Sequence, residues 1–152
     1  MRLSVQVRRV AIRFAYVGLR TYWFLLRPRI VGVKCVLTNG EDVLLVRHTY
    51  GSRAWDLPGG TVRRREAPRD AARREMHEEL GRLIDDWTPL GELFVRSNHH
   101  DDNLHLFLTQ MSDRRVEIDL VELAEADWFP RQALPADLSR YVRPILERVR
   151  TA

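Results

Sequence analysis

Two periodicities divide the chain. Over residues 5–27 the polar positions recur at helical spacing. Arg9, Arg13, Arg20 and Arg27 fall on one stripe at about 3.6 residues per turn, with Tyr16 and Trp23 beside them. Val7, Val10, Ala11, Phe14, Val17 and Leu25 fall largely on the other side. This predicts an amphipathic helix ending before Pro28. From residue 30 the apolar positions become β-branched and extended. Residues 30–38 and 43–46 read as strands around the Asn39-Gly40 turn, so 30–47 is a hairpin. Residues 49–54 form a polar loop, and 55–62 a short strand broken by Pro58-Gly59-Gly60. Residues 67–80 read as a helix closed by Gly81. Strands follow at 90–96 and 104–111, joined by the polar stretch 97–103. A connector with strand-like alternation at Val116, Ile118 and Leu120 follows, and 125–130 carries Trp128 and Phe129. Residues 137–149 predict a last helix, with Asp137 near its start and Tyr141, Ile145 and Val149 on one face. The expectation is one α/β domain over 30–150 behind a helical extension at 1–29.

Charge sharpens that division. The formal net charge is +4, yet residues 1–40 hold Arg2, Arg8, Arg9, Arg13, Arg20, Arg27, Arg29 and Lys34 and no acid. The remainder is therefore net acidic, and the high isoelectric point does not describe the main body. No specific nucleic-acid partner is expected on that ground. One cysteine, Cys35, excludes an intrachain disulfide and a thiolate zinc site. The first segment lacks the clean apolar run and cleavage site of a signal peptide, and a cytoplasmic location is expected. Its commonest reading is a helix packed on the domain with its arginines in water. A peripheral membrane contact or a homodimer contact through 5–27 are the alternatives.

The chemistry concentrates in the helix at 67–80. Glu75, Glu78 and Glu79 stand at i, i+3 and i+4 and share a face, beside Ala67 and Ala71. Ala72, Met76, Leu80 and Leu83 share a different face, which can dock on a sheet. Three close carboxylates repel one another, and Arg74 relieves them only in part, through Glu78. A hard divalent cation would neutralise them, and oxygen-only donors favour Mg²⁺ or Mn²⁺ over zinc. A solvated acidic face has the same spacing, so the helix alone does not decide.

Its surroundings do. Gly59-Gly60 lets backbone come close to a metal or phosphate. Gly60, five residues, Glu66, seven residues, then Arg74-Glu75-Met76-His77-Glu78-Glu79-Leu80-Gly81 resembles the Nudix box of the Nudix hydrolases. Every position of that pattern matches except the last, where Arg82 replaces an apolar residue. Trp55-Asp56-Leu57-Pro58-Gly59-Gly60 looks like the usual approach to the box, and Ala126-Asp127-Trp128-Phe129-Pro130 like the usual C-terminal end. The resemblance covers about 30–150 and leaves 1–29 unexplained.

The resemblance implies an α/β/α sandwich with a mixed central sheet. It implies attack of water at phosphorus on a nucleoside diphosphate linked to another group, with a nucleotide-derived small molecule as partner. Carried onto this chain, Glu75, Glu78 and Glu79 would be metal ligands with the carbonyl of Gly60. Glu66 would support the box or position a water, and Arg74 would orient the glutamates. Glu78 or Glu79 could be the general base instead. In some members the base comes from a distant loop; here His99, His100, Asp101, Asp102 and the nearby His105 are candidates, although a polar hairpin without any role looks the same. Asp101 and Asp102 are the first picks for an extra carboxylate at the metal and substrate site. Arg47 could face phosphate. Lys34, His48, Trp55 and His77 read as residues around the site rather than in it. The extra motifs of coenzyme A and NADH members are not seen, nor the downstream proline of many ADP-ribose members. A nucleoside triphosphate or a modest-sized nucleotide sugar stays open as the substrate. The rival reading is a catalytically silent, nucleotide-binding regulatory domain of the same fold.

Overall fold

The structure is a computed structural model that describes residues 5–26, 29–96 and 101–149, with the side chains of residues 20 and 23–26 left aside. His99, His100 and Arg27 of the reading above lie outside the described residues, as do the side chains of Arg20, Trp23 and Leu25.

Helix α1 (Val5–Leu26) precedes β1 (Arg29–Asn39), β2 (Asp42–His48) and β3 (Gly59–Thr61). Helix α2 (Pro68–Leu80), β4 (Thr88–Arg96), β5 (Asp101–Gln110), β6 (Leu123–Pro130) and α3 (Val142–Val149) follow. The strands form one mixed sheet in the order β4-β5-β1-β2-β6, with β3 paired to β1. β1 runs parallel to β5 and antiparallel to β2 and β3. The hairpin turns where Asn39-Gly40 predicts, with Asn39 opposite Asp42.

Alternation along the strands sorts side chains into two layers. Val33, Cys35 and Leu37 of β1 and Leu44 and Val46 of β2 pack with Ala71, Ala72, Met76 and Leu80 of α2. Val36, Val43, Leu45, Leu104 and Leu106 pack on the opposite face with Val142, Ile145 and Leu146 of α3. One sheet between two helical layers is the sandwich that the resemblance implies.

Two local expectations change, and the connector at 116–120 is borne out. Leu83 does not join the α2 face; it is exposed, and Ile84 is buried in its place. Residues 116–120 form no strand: Val116 and Ile118 pack on the core while the backbone crosses the end of α2, where Glu117 N–H bonds Leu80 O at 2.9 Å and Asp119 N–H bonds Glu79 O at 3.0 Å. These bonds satisfy carbonyls that a helix C-terminus leaves unpaired. Lastly, α3 begins at Val142 and not at 137. The residues before it are held by Trp55, whose N–H bonds Asp137 O and whose carbonyl accepts from Ser139 N–H.

The largest reversal concerns α1. Its basic stripe faces the domain: Arg9 Nε donates to Leu120 O at 2.7 Å and Arg13 Nε to Thr49 O at 3.2 Å. Tyr16 lies against Tyr50, ring centroids 5.2 Å apart. The apolar side is turned outward, with Phe14 75% and Val10 51% exposed. The loops beneath offer backbone carbonyls, which a guanidinium can bond and an apolar side chain cannot.

Candidate active site

Helix α2 starts cleanly because Ala67 is extended, Pro68 takes the first turn and Asp70 sits near the positive helix end. It stops because Gly81 adopts φ 64°, with Gly81 N–H on His77 O and Arg82 N–H on Met76 O. Arg82, the one departure from the box pattern, points to Asp113 at 3.2 Å rather than into the core, so an apolar residue is not needed there.

Between these ends the three glutamates part company. Glu75 and Glu79 are buried, at 9% and 2% exposure, while Glu78 stays at the rim. Glu79 Oε2 accepts from Gly59 N–H at 3.1 Å. Burial above all, with the Glu75 charge adding, raises the Glu79 carboxyl to about 8; Lys34 and the Gly59 N–H act the other way. Burial also raises Glu75, against the pull of Arg74. A Cβ on Gly60 would land on the Glu75 carboxyl group. The glycine is there because the carboxylate passes directly beneath the β3 backbone. For Gly60→Ala we expect displacement of Glu75 and a loss of activity of about a hundredfold, with the fold retained. Turnover and thermal melts of the variant check this, and wild-type turnover would refute it.

Arg74 braces the cluster. Its Nε and Nη2 grip both oxygens of Glu66 at 2.8 and 2.9 Å, and Nη1 reaches Glu75 at 2.6 Å and Glu78 at 3.1 Å. Nη2 also bonds Thr61 O at 3.0 Å, tying α2 to β3. The Arg74 hydrogen bond first, then the Arg63 N–H, hold Glu66 down at about 2. Arg63 reaches the other oxygen of Glu78 at 3.2 Å. The spacing argument foresaw Arg74 on Glu78; the structure adds Glu66 and Glu75. Among the described residues no three acidic, His or Cys side chains already converge on one point, since Arg74 stands between Glu75 and Glu78. The donors are nevertheless all oxygens, and one of them is a buried carboxyl whose charged form lacks a cation of its own. That set, with the Gly60 backbone beside it, suits a hard divalent ion.

Two residues escaped the sequence reading. Glu122 is half-buried; burial raises its carboxyl, and the charges of Asp119, Glu75 and Glu78 add to the shift. It is thus a fourth carboxylate beside the cluster. Tyr50 is half-buried, its hydroxyl raised by burial and by the charges of Glu122, Glu79 and Glu75. No spacing rule links either to α2: the chain crossing at 117–122 carries Glu122 there, and Thr49, next to Tyr50, bonds Glu122 O and Val121 O.

The other expected residues lie elsewhere. Arg47 is on the α3 side of the sheet, 2.7 Å from Asp137 and 4.5 Å over the Trp55 ring. Asp102 is buried under Tyr141, whose hydroxyl donates to it at 2.6 Å. Asp101 lies 3.8 Å from Arg96. Both aspartates line a cleft of about 630 Å³ at the ends of β1, β4 and β5, together with Arg29, Phe94 and Asn103, and no box glutamate lines it. His105 faces Glu92 at 3.7 Å, and His77 is exposed. His48 is mostly covered, and burial lowers its imidazole to about 4, so it is neutral. Lys34 is committed to Asp56 at 2.7 Å and Leu57 O at 2.8 Å.

A sandwich of this topology with a braced glutamate cluster in the second half of α2 defines a class, and comparison with known proteins agrees. The NUDIX domain model matches residues 28–149. The chain belongs to the NUDIX family. It is 36% identical over 97 residues to an ADP-ribose pyrophosphatase of Mycobacterium tuberculosis, covering 60% of this chain and 46% of that protein. It is 43% identical over 56 residues to an RNA pyrophosphohydrolase of Cellvibrio japonicus, covering 36% of this chain and 31% of that one. The match thus spans under half the length of each of these relatives. The crystal structure of a MutT NUDIX hydrolase from Burkholderia pseudomallei superposes with TM-score 0.74 and 25% identity, over 80% of this chain and 98% of that one.

Proposed function

We propose that this protein hydrolyses a phosphoanhydride bond in a nucleoside diphosphate linked to another group, a nucleoside triphosphate or a nucleotide sugar, using Mg²⁺ or Mn²⁺. The observation that carries this reading is the pair of buried carboxyls, Glu75 and Glu79, beneath the Gly59-Gly60 backbone. Glu75, Glu78, Glu79 and the Gly60 carbonyl would hold the cation, with Glu122 the nearest further carboxylate. When bound there, a divalent ion supplies charge neutralisation of the pyrophosphate and a more acidic water.

The chain's own residues do the rest. Glu79 is fixed by the Gly59 N–H, so one oxygen keeps its direction. Arg74 holds Glu75 and Glu78 until a cation competes for them, and its bidentate grip on Glu66 keeps the loop before α2 in place when they move. Glu78, at the rim, is placed to hold or accept a proton at its carboxylate. Arg47 reaches an incoming phosphate only by exchanging Asp137, and Asp101 and Asp102 would meet substrate only through a part that extends to their own cleft. ADP-ribose and RNA, named for the relatives, belong in the same test, RNA as a 5′-triphosphorylated strand so that each presents a phosphoanhydride.

The test is incubation of the full chain with a panel of nucleoside triphosphates, nucleotide sugars, ADP-ribose and 5′-triphosphorylated RNA, with Mg²⁺, Mn²⁺ or chelator. Metal-dependent release of a phosphomonoester or pyrophosphate is expected. Tight nucleotide binding without any product would instead favour the silent regulatory reading.

A further inference from the structure

We propose that the outward face of α1 seats this protein on an anionic lipid surface. Two neighbouring arginines fix the helix so that one side cannot turn inward. Arg9 and Arg13, one turn apart, are clamped to the carbonyls of Leu120 and Thr49, and Tyr16 rests on Tyr50 between residues that also frame Gly51. At about 100° per residue, Val10, Ala11, Phe14 and Tyr22 then point away from the domain, with no charged residue among them, while Val17 borders the cleft between α1 and the 49–53 loop. Val10 is 51%, Phe14 75% and Tyr22 51% exposed. A contiguous apolar face of this kind marks a contact with something outside the molecule.

Charge selects the occupant. Residues 1–29 contain seven arginines and no acid. A second copy would bring an identical acid-free helix to the same face and add like charges, whereas an anionic bilayer adds opposite ones. Arg8, exposed at the margin of the apolar face, is placed to meet lipid phosphate while that face enters the acyl boundary. No helix among the described residues is long and apolar enough to cross a membrane, so α1 would lie on the surface rather than span it. The helix also lies outside residues 28–149, the part that matches the family, so its exposed face is not needed to complete the domain.

Co-sedimentation of the full chain with vesicles tests this. Binding to phosphatidylglycerol–phosphatidylcholine vesicles should be at least roughly tenfold tighter than to phosphatidylcholine alone, and should weaken as salt rises. Val10→Glu combined with Phe14→Glu should reduce it by a similar factor while the melting temperature and nucleotide turnover stay at wild-type values. Equal vesicle binding by wild type and the double variant would overturn the proposal. So would absence of vesicle binding with a concentration-dependent dimer, in sedimentation velocity, that the double variant abolishes. Because the readout is lipid binding, its failure leaves the proposed hydrolysis untouched.

Discussion

Glu79→Gln is expected to abolish turnover and, in the same molecule, to raise stability. The carboxyl is 2% exposed, and burial lifts it from 4.5 to about 8. In the unfolded chain it ionises near its ordinary value. Between the two the native state keeps a proton that the unfolded state has lost, so stability falls as pH rises from about 5 to about 8. Glutamine keeps the acceptor for the Gly59 N–H and removes the ionisation. In chelator at pH 8 the variant should therefore be more stable than wild type by about 1–3 kcal/mol, and its melting temperature should lose the downward slope with pH. Activity should fall by about a hundredfold or more, because a charged oxygen donor is gone. Calorimetric melts between pH 5 and 8, paired with the nucleotide assay, read both effects. A variant less stable than wild type at pH 8, or fully active, would contradict the placement of Glu79 as a buried carboxyl reserved for a cation.

Arg74→Met should do the opposite to stability. One guanidinium neutralises Glu66, Glu75 and Glu78 and bonds Thr61 O. Its loss leaves Glu75 buried with no partner, at a cost of about 3 kcal/mol. Arg74→Lys should recover little, since a single ammonium cannot grip both oxygens of Glu66 and still reach Glu75. The variant should also fail earlier in acid. Arg74 holds Glu66 at about 2, below its ordinary 4.5. That contribution is fully present above about 4.5 and lost as pH falls through about 2. Tryptophan fluorescence followed through an acid titration should show Arg74→Met unfolding at higher pH than wild type. Coincident acid midpoints would mean that Arg74 is a surface ornament rather than the brace.

Much of this was legible from residue order, for reasons that differ by element. The hairpin at Asn39-Gly40 and the end of α2 at Gly81 are local decisions, made by turn chemistry within a few residues. The box from Gly60 to Gly81 was legible because a loop and helix carry all of it. What spacing missed was depth. The i, i+3, i+4 pattern groups Glu75, Glu78 and Glu79 on one face, but the strand above decides that two are buried and one is not. The start of α3 was misplaced for a similar reason: Trp55, far away in sequence, captures residues 137 and 139.

The order of residues by itself determined the family, the helices and hairpin, and the acidic cluster with its arginine, because each is specified by neighbours along the chain. Only the tertiary structure decided that Glu122 comes beside the cluster, that Arg47 and Asp102 sit across the sheet from it, and that α1 turns Arg9 and Arg13 inward. Those outcomes depend on which distant backbone carbonyls and carboxylates come within reach once the sheet has closed. A guanidinium goes to the carbonyl or carboxylate the fold brings to it, whatever face the sequence pattern would have assigned it.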